Sequence, residues 1–113
     1  MVLKTVVDYL ENELFGEIDY DEVARAVHYG KDSVARIFAA STGFTLAGYV
    51  RVRRLSEAGK LLAGGAASVA GIAYDCGYSA PESFTKAFGK FHGFSPTECR
   101  VTGKYRYISA WSH

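Results

Sequence analysis

One stretch of this 113-residue chain carries side chains that could bind a polyanion. In "CGYSAPESFTKAFGKFHGFSP", residues 76–96, Phe84, Phe88 and Phe91 recur at the spacing of one helix face. The opposite face carries mainly polar and basic residues, which are Pro81, Glu82, Thr85, Lys86 and Lys90. Lysine and threonine side chains bind phosphate oxygens of nucleic acids. The pattern predicts a helix held by aromatic residues, with an outer face open to a ligand.

The sequence does not indicate catalysis or metal binding. No nucleophile–base pair, pair of carboxylates or cluster of metal ligands stands out, so we predict neither an enzyme, nor a metal site, nor a cofactor. Cys76 and Cys99 lack further ligands at CxxC or HxxxH spacing, and we interpret them as reduced structural thiols. With no signal peptide and no apolar stretch of ~20 residues, we expect a cytoplasmic protein that does not enter a membrane.

Charge is distributed unevenly along the chain although its net value is only +1. Residues 1–22 contain one base and seven acids, a net charge of −6. Residues 23–113 contain twelve bases and five acids, a net charge of +7. The basic part could face a polyanion, or the two parts could simply be solvated surfaces of opposite sign, and the charge pattern alone leaves both open.

Helical periodicity and capping residues divide the first half of the chain into helices. Apolar spacing predicts a first amphipathic helix that ends near Phe15–Gly16. Asp19, with Glu22 three residues later, resembles a capping box that opens a short helix. A longer helix, about 31–41, follows a turn and ends at Gly43.

The second half begins with the longest predicted helix. Thr45 is expected to cap a helix from Leu46 to about Leu62, which stops at Gly64–Gly65, and Ser68 starts a short helix. No convincing strand precedes the last dozen residues, so the fold class is all-α.

A proline near the front of the aromatic helix agrees with a helix start. Ser79, with Glu82 three residues later, predicts a capping box that puts Ser79 at the N-cap and Pro81 at N2. A proline in the first turn loses no helical hydrogen bond. Gly77 lies where a tight turn before this helix requires a positive φ.

An internal repeat relates the two halves. Val23–Ala24 and Tyr29 match Ile72–Ala73 and Tyr78 at an offset of 49. An offset of 50 then aligns Val34 with Phe84, Phe38 with Phe88, Gly43 with Gly93, Phe44 with Phe94 and Thr45 with Ser95. Each copy predicts a short helix, a tight turn and a longer helix, which is the helix-turn-helix pattern. The alternative is an ordinary helical bundle with fortuitous self-similarity.

Motifs in both copies resemble the DNA-binding region of the AraC/XylS family of bacterial transcription regulators. The stretch "IAYDCGYSAPESFTKAFGKFHGFSPTECR", residues 72–100, resembles the signature of the family's second helix-turn-helix. "YVRVRRLSEAGKLL", residues 49–62, is similar to its linker helix, and "RIFAASTGFTLAGYV", residues 36–50, to the end of its first motif. The resemblance implies a homeodomain-like fold of about seven helices, in which a long linker helix joins two helix-turn-helix subdomains.

The resemblance also implies which residues of the first motif would meet DNA. Its recognition helix, about 31–41, presents Lys31, Asp32, Ala35 and Arg36 on the outer face. Arg36 could read guanine through O6 and N7. Asp32 could accept a hydrogen bond from cytosine N4 or simply favour the positive end of the helix, and both interpretations stay open. His28, at the family's turn glycine, is expected to tolerate a positive φ.

The linker helix supplies three basic candidates. One or two of Arg51, Arg53 and Arg54 are expected to contact phosphate. Arg54 has the alternative of a structural pair with Glu57 or Asp75.

The second motif supplies the remaining candidates, which are Ser79, Pro81, Glu82, Thr85, Lys86 and Lys90. By resemblance, Pro81, Glu82, Thr85 and Lys86 match positions that contact bases or phosphate. Glu82 has the alternative role of a helix cap. Backbone N–H groups where the helix starts could hold a phosphate.

These predictions divide the chain into four parts. They are a first helix-turn-helix subdomain at 1–44, a linker helix at 45–63, a second subdomain at 64–101 and a tail at 102–113. The tail could form a last short helix or the first strand of a missing effector domain. At ~1.5 Å per residue the linker is ~25 Å long, which could place two recognition helices about one DNA turn, ~34 Å, apart.

We therefore predict a sequence-specific regulator of double-stranded DNA that inserts two recognition helices into successive major-groove segments. RNA polymerase is the expected second partner. The chain would bind DNA as a monomer, or as a dimer through an effector domain that this sequence does not show. The alternative is a protein-interaction module on a degenerate helix-turn-helix scaffold, since outward residues such as Asp32, Ala35, Pro81 and Glu82 offer bases few hydrogen bonds.

Overall fold

The computed structural model describes residues 2–65 and 67–112. Within these ranges it contains seven helices and no strand, so the predicted all-α class is confirmed. The helices are α1 (Val2–Asn12), α2 (Tyr20–Ala26), α3 (Lys31–Thr42), α4 (Leu46–Ala63), α5 (Val69–Asp75), α6 (Pro81–His92) and α7 (Pro96–Thr102). The chain forms two compact units that divide inside α4: unit 1 is Met1–Val50 with Ala110–His113, and unit 2 is Arg51–Ser109.

Polar residues begin three helices where the sequence predicts them. The side-chain oxygens of Asp19, Thr45 and Ser68 each accept a hydrogen bond from a backbone N–H in the first turn of the following helix, at 2.9 to 3.2 Å. These bonds satisfy donors that have no partner within the helix. The starts of α2, α4 and α5 are therefore confirmed.

Two predicted helix boundaries are wrong, the C-terminal end of α1 and the N-cap of α6. α1 ends at Asn12, before the predicted Phe15–Gly16, because the chain tightens into turns in which Leu14 N–H donates to the Glu11 carbonyl. The N-cap of α6 is Ala80, with extended φ −124° and ψ 131°, and not Ser79. Pro81 is the first helical residue, because proline favours that position and forces the residue before it into extended backbone.

The core of unit 1 is organised around Tyr49, which is 1% exposed. Its ring meets the Phe38 ring edge-on, with centroids 5.3 Å apart. Its hydroxyl donates to the Glu11 carboxylate at 2.8 Å and accepts from the Trp111 backbone N–H at 3.1 Å. The side chains of α1, α2 and α3 that complete this core include Leu10, Val23 and Val34. Tyr49, a residue of α4, thus connects α3 to Trp111 near the end of the described chain.

The core of unit 2 is built from α6 aromatic residues and α4 aliphatic residues. Phe84 and Phe88 are fully buried, with ring centroids 5.6 Å apart, and pack in one cluster with Leu62. Cys76 and Cys99 lie in the same cluster as free, buried thiols. Burial raises the pKa of Cys76 to about 12, so this thiol stays protonated at neutral pH and acts as a small apolar side chain.

Residues 103–112, here called the tail, form neither the last short helix nor the strand that the sequence suggested for them. None of these residues lies in a helix or strand. In unit 2, the Ile108 N–H donates to Ser56 Oγ at 3.1 Å, and the Ile108 carbonyl accepts from Arg53 at 2.6 Å. Local periodicity cannot predict such a segment, since its partners lie 52 and 55 residues away in sequence.

Gly59, in the middle of α4, allows α6 and the tail to approach the helix closely. A Cβ atom at this position would lie 2.5 Å from His92 Cε1 and 2.8 Å from the Tyr105 Cβ. Such distances are far below van der Waals contact, so any side chain here must displace a neighbour. Gly89, inside α6, has open space around the same position.

We predict opposite effects of alanine at these two helical glycines. Gly59→Ala should lower the free energy of unfolding by about 1–3 kcal/mol, because the added methyl group overpacks the contact with His92. Gly89→Ala should raise it by up to about 1 kcal/mol, because alanine favours a helix and meets nothing. Urea unfolding of both variants measures the difference, and equal shifts of the same sign would contradict the close approach at Gly59.

Candidate nucleic-acid interface

The two helix-turn-helix motifs share a pattern of backbone hydrogen bonds. In the first, Tyr29 N–H donates to the Ala24 carbonyl at 3.2 Å, and in the second, Tyr78 N–H donates to the Ala73 carbonyl at 3.0 Å. Donors and acceptors differ by 49 residues in both cases. At an offset of 50, Val34 N–H to Gly30 carbonyl and Phe84 N–H to Ala80 carbonyl correspond in the same way. The sequence repeat is therefore a repeat of backbone structure.

Each motif turns through one residue with positive φ. His28 has φ 61° and is the only non-glycine with positive φ among the described residues, while Gly77 has φ 88°. The predictions for both residues are confirmed. Positive φ at a residue with a side chain costs on the order of 1 kcal/mol, so the packing of α2 against α3 must hold His28 in place.

α3 presents the predicted residues of the first motif to solvent. Val34 and Phe38 are buried, whereas Lys31, Asp32, Ala35 and Arg36 are all exposed. Lys31 Nζ lies 3.0 Å from Asp21 Oδ1, an exposed pair that contributes about 0.2–1 kcal/mol and that a phosphate could replace. Asp32 lies in the first turn, where a negative charge complements the helix dipole.

α6 presents the predicted residues of the second motif in the same way. Phe84 and Phe88 are buried on one face, and the exposed residues are Ser79, Pro81, Glu82, Thr85, Lys86 and Lys90. The outer face is therefore available to a ligand along the length of the helix. Its acid, Glu82, is in the first turn, and Lys90 is in the last.

The three arginines of α4 lie at three depths. Arg51 is exposed. Arg54 is half-buried and donates to the Cys76 carbonyl at 3.3 Å, next to the turn at Gly77. Arg54 thus contacts the end of α5. This is a structural role, as in the alternative given above for Arg54, and the acceptor of this hydrogen bond is a backbone carbonyl oxygen.

Arg53 does not fit the predicted role of a phosphate contact. It is 4% exposed. Its guanidinium donates to the Ile108 carbonyl at 2.6 Å and to the Glu57 carboxylate at 3.1 Å, and it lies over the Tyr107 ring at 5.5 Å. The same carboxylate accepts a hydrogen bond from the Tyr107 hydroxyl. Arg53 is therefore a structural residue of unit 2, and its i, i+4 spacing to Glu57 was the sequence signal for it.

The tail adds a histidine contact that sequence reasoning missed. His92 is 8% exposed, and its Nε2 lies 2.8 Å from the Leu55 carbonyl, while its Nδ1 accepts from the Arg106 backbone N–H at 3.0 Å. These two bonds require a neutral ring with its proton on Nε2. Burial lowers the pKa of His92, against the raising effect of the Leu55 hydrogen bond, and Arg106 lowers it further.

We expect Arg53→Ala to destabilise the fold and Arg51→Ala to leave the free energy of unfolding almost unchanged. Arg53→Ala should lower the free energy of unfolding by about 3 kcal/mol, because Glu57 and the Ile108 carbonyl lose a buried cation. Arg51→Ala should change it by no more than about 0.5 kcal/mol, because Arg51 is exposed. Urea unfolding at pH 7.5 measures both values. Similar values for the two variants would show that the Arg53 contacts contribute no stability.

The neutral His92 ring predicts a stability that falls on acidification. Because its pKa is lower in the folded chain, the unfolded chain binds the proton first as the pH falls through about 6.5. The free energy of unfolding is then greatest above that pH and should decrease toward pH 5.5. His92→Gln, which cannot take up a proton, should flatten this slope in urea titrations at pH 7.5, 6.5 and 5.5. An unchanged slope would show that the pKa of His92 is not lowered by folding.

Other kinds of site find no support in the described ranges. They contain no group of three or more histidine, cysteine, aspartate or glutamate side chains that could hold a metal ion. None of the helices in residues 2–65 and 67–112 has both the length and the apolar character needed to cross a membrane.

Sequence comparisons agree with the duplicated motif. A family model described as a helix-turn-helix domain matches residues 23–101. The HTH-type transcriptional activator RhaR of Mannheimia succiniciproducens is 36% identical over 98 residues, which cover 87% of this chain and 36% of RhaR. The probable transcription factor PqrA of Proteus vulgaris is 36% identical over 104 residues, which cover 90% of this chain and 85% of PqrA. The chain thus spans about a third of the length of RhaR and most of the length of PqrA.

Solved structures share the fold. An AraC-type transcriptional regulator from Chromobacterium violaceum has a TM-score of 0.80 at 24% identity, over 88% of this chain and 89% of that one. The DNA-binding domain of AdpA, solved in complex with a target DNA, has a TM-score of 0.76 at 25% identity, over 88% of this chain and 89% of that one. The names of these relatives describe a transcriptional activator, a probable transcription factor and a transcriptional regulator. With its two matching motifs and its long α4, the chain belongs to the AraC/XylS family of DNA-binding helix-turn-helix transcription regulators.

Proposed function

We propose that this chain reads one double-stranded DNA site with α3 and α6, each in its own major-groove segment. The observation that carries the proposal is the duplicated motif, in which both recognition helices bury an aromatic or aliphatic face and expose the other. A helix placed in this way can lie in the major groove, since that groove admits an α-helix. α4, at 18 residues, is ~27 Å long, which is of the order of one DNA turn, ~34 Å.

The proposed contacts differ between the two helices. In α3, Arg36 would read guanine, Ala35 would contact a thymine methyl group and Lys31 would bind phosphate. Asp32 would stabilise the helix start and leave phosphates to its neighbours. Specificity from α3 would therefore depend mainly on Arg36, because the other side chains offer bases few hydrogen bonds.

In α6, the side chains that could read nucleobases come first in sequence, and the lysines that could bind phosphate follow them. Thr85 would contact a base through its hydroxyl or methyl group, and Lys86 and Lys90 would bind phosphate. Residues 79–82, which lead into α6, would approach the DNA backbone, and N–H groups of the first turn would be available to a phosphate. Arg51 is the phosphate candidate of α4, and Arg53 is withdrawn from the set.

The wider role follows from the family and remains part of the proposal. AdpA, a structural relative, binds its target DNA through the corresponding domain. We propose that this chain acts at the bacterial nucleoid in the cytoplasm, bound to its DNA as a monomer or as a dimer through a further domain. Contact with RNA polymerase would couple DNA binding to transcription.

We expect selection from a random DNA pool to recover a defined site. Affinity for that site should fall with salt, with a slope of log Kd against log salt of at least about 3.5, because Lys31, Arg51, Lys86 and Lys90 would neutralise about four phosphates. Arg36→Ala should cost about 1–3 kcal/mol and relax the preference at one guanine. Lys4→Ala is the control, since Lys4 is on α1 and pairs with Asp8 at 2.7 Å.

The alternative function predicts a different result in the same measurements. A protein-interaction module on this scaffold would select no sequence and would show a salt slope near zero. That combination would overturn the DNA-binding proposal for this chain.

A further inference from the structure

One basic residue of the tail, Arg106, is held against the end of α6 while its guanidinium stays exposed. The Arg106 backbone N–H is anchored on His92 Nδ1 at 3.0 Å. Its guanidinium lies over the Phe91 ring, 4.7 Å from the centroid, and donates to the Phe91 carbonyl at 3.4 Å. The residue as a whole is exposed. One backbone contact and two side-chain contacts thus fix the position of a residue that solvent can still reach.

Among the described residues, no carboxylate forms an ion pair with Lys86, Lys90 or Arg106. Bases of unit 1 differ in this respect, because Lys4 pairs with Asp8 at 2.7 Å and Arg25 lies 3.9 Å from Asp19. Lys86 in the middle of α6, Lys90 in its last turn and Arg106 beside that turn together favour an external anion.

The guanidinium chemistry suits a phosphate. Arginine has five N–H donors in a planar fork, and here one is used by the Phe91 carbonyl. Stacking on an aromatic ring restricts the plane of the fork, so less conformational freedom is lost when two parallel N–H groups bind two phosphate oxygens.

We propose that Arg106 binds a DNA phosphate next to the groove that α6 occupies. This inference rests on the proposed DNA-binding function and extends it to the tail. Lys86 and Lys90 lie on the outer face of α6, and Arg106 is a third basic residue, beside the last turn of the helix. In other helix-turn-helix proteins the C-terminal end of the recognition helix also contacts the DNA backbone. Arg106 therefore adds affinity and does not choose the sequence.

The test is a comparison of salt slopes for the wild-type chain, Arg106→Gln and Arg106→Lys on one selected site and on random DNA. Arg106→Gln should lower the slope by about 0.9, the contribution of one phosphate, and should weaken binding to both DNAs by the same factor. Arg106→Lys keeps the charge and should retain the wild-type slope. Lys4→Gln, a base removed from α1, should also retain it, and urea unfolding checks that all variants are folded.

The outcomes separate this inference from the function on which it rests. If the wild-type chain binds DNA with a salt-dependent affinity but Arg106→Gln keeps its slope, Arg106 is only a packing residue and the inference is overturned alone. If Arg106→Gln changes the preferred sequence, Arg106 contacts a base and the phosphate assignment is wrong. If the wild-type chain shows no salt-dependent binding, both proposals fail together.

Discussion

A turn with positive φ between two packed helices is the constraint on which each helix-turn-helix motif depends. The short and long helices can cross only if the chain reverses within a few residues, and His28 and Gly77 provide that reversal. Once the crossing is set, Val34 and Phe38 in one motif, or Phe84 and Phe88 in the other, must face inward. The exposure of the opposite face then follows from helix geometry. The exposed outer faces of α3 and α6 are in this sense a consequence of the turns.

Burial decides whether an arginine of α4 stabilises the fold or stays exposed to a ligand. Arg51 and Arg53 are two residues apart on α4, yet only Arg53 is enclosed, by Glu57, Tyr107 and the Ile108 carbonyl. A charge enclosed in this way stabilises the fold only while its partners are present, and it contributes little to attraction at the surface. The net charge of the basic part of the chain therefore overstates the charge that a polyanion would meet.

The sequence predicts most of what is local. The caps at Asp19, Thr45 and Ser68 and the positive φ of His28 and Gly77 depend on one or a few neighbouring residues, and all five are confirmed. The outward placement of the α3 and α6 candidates follows from periodicity in the same way. Their contacts with DNA remain predictions.

The failures come from interactions that local patterns do not contain. Ser79 matches a capping box, but the preference of Pro81 for the first helical position is stronger. The offset of 50 that aligns Ala80 with Gly30 was the available signal. The burial of Arg53 depends on Ile108, 55 residues away, and periodicity of α4 alone cannot distinguish it from Arg51.

The tail has a consequence for how this kind of domain is delimited. The matched helix-turn-helix family model ends at residue 101, but contacts within the fold continue to Trp111. A fragment cut at residue 101 would expose the guanidinium of Arg53 and the hydroxyl of Ser56, and it would remove a backbone partner of Tyr49. For this chain, the boundary of the family model therefore lies before the last contacts that join the tail to each of the two units.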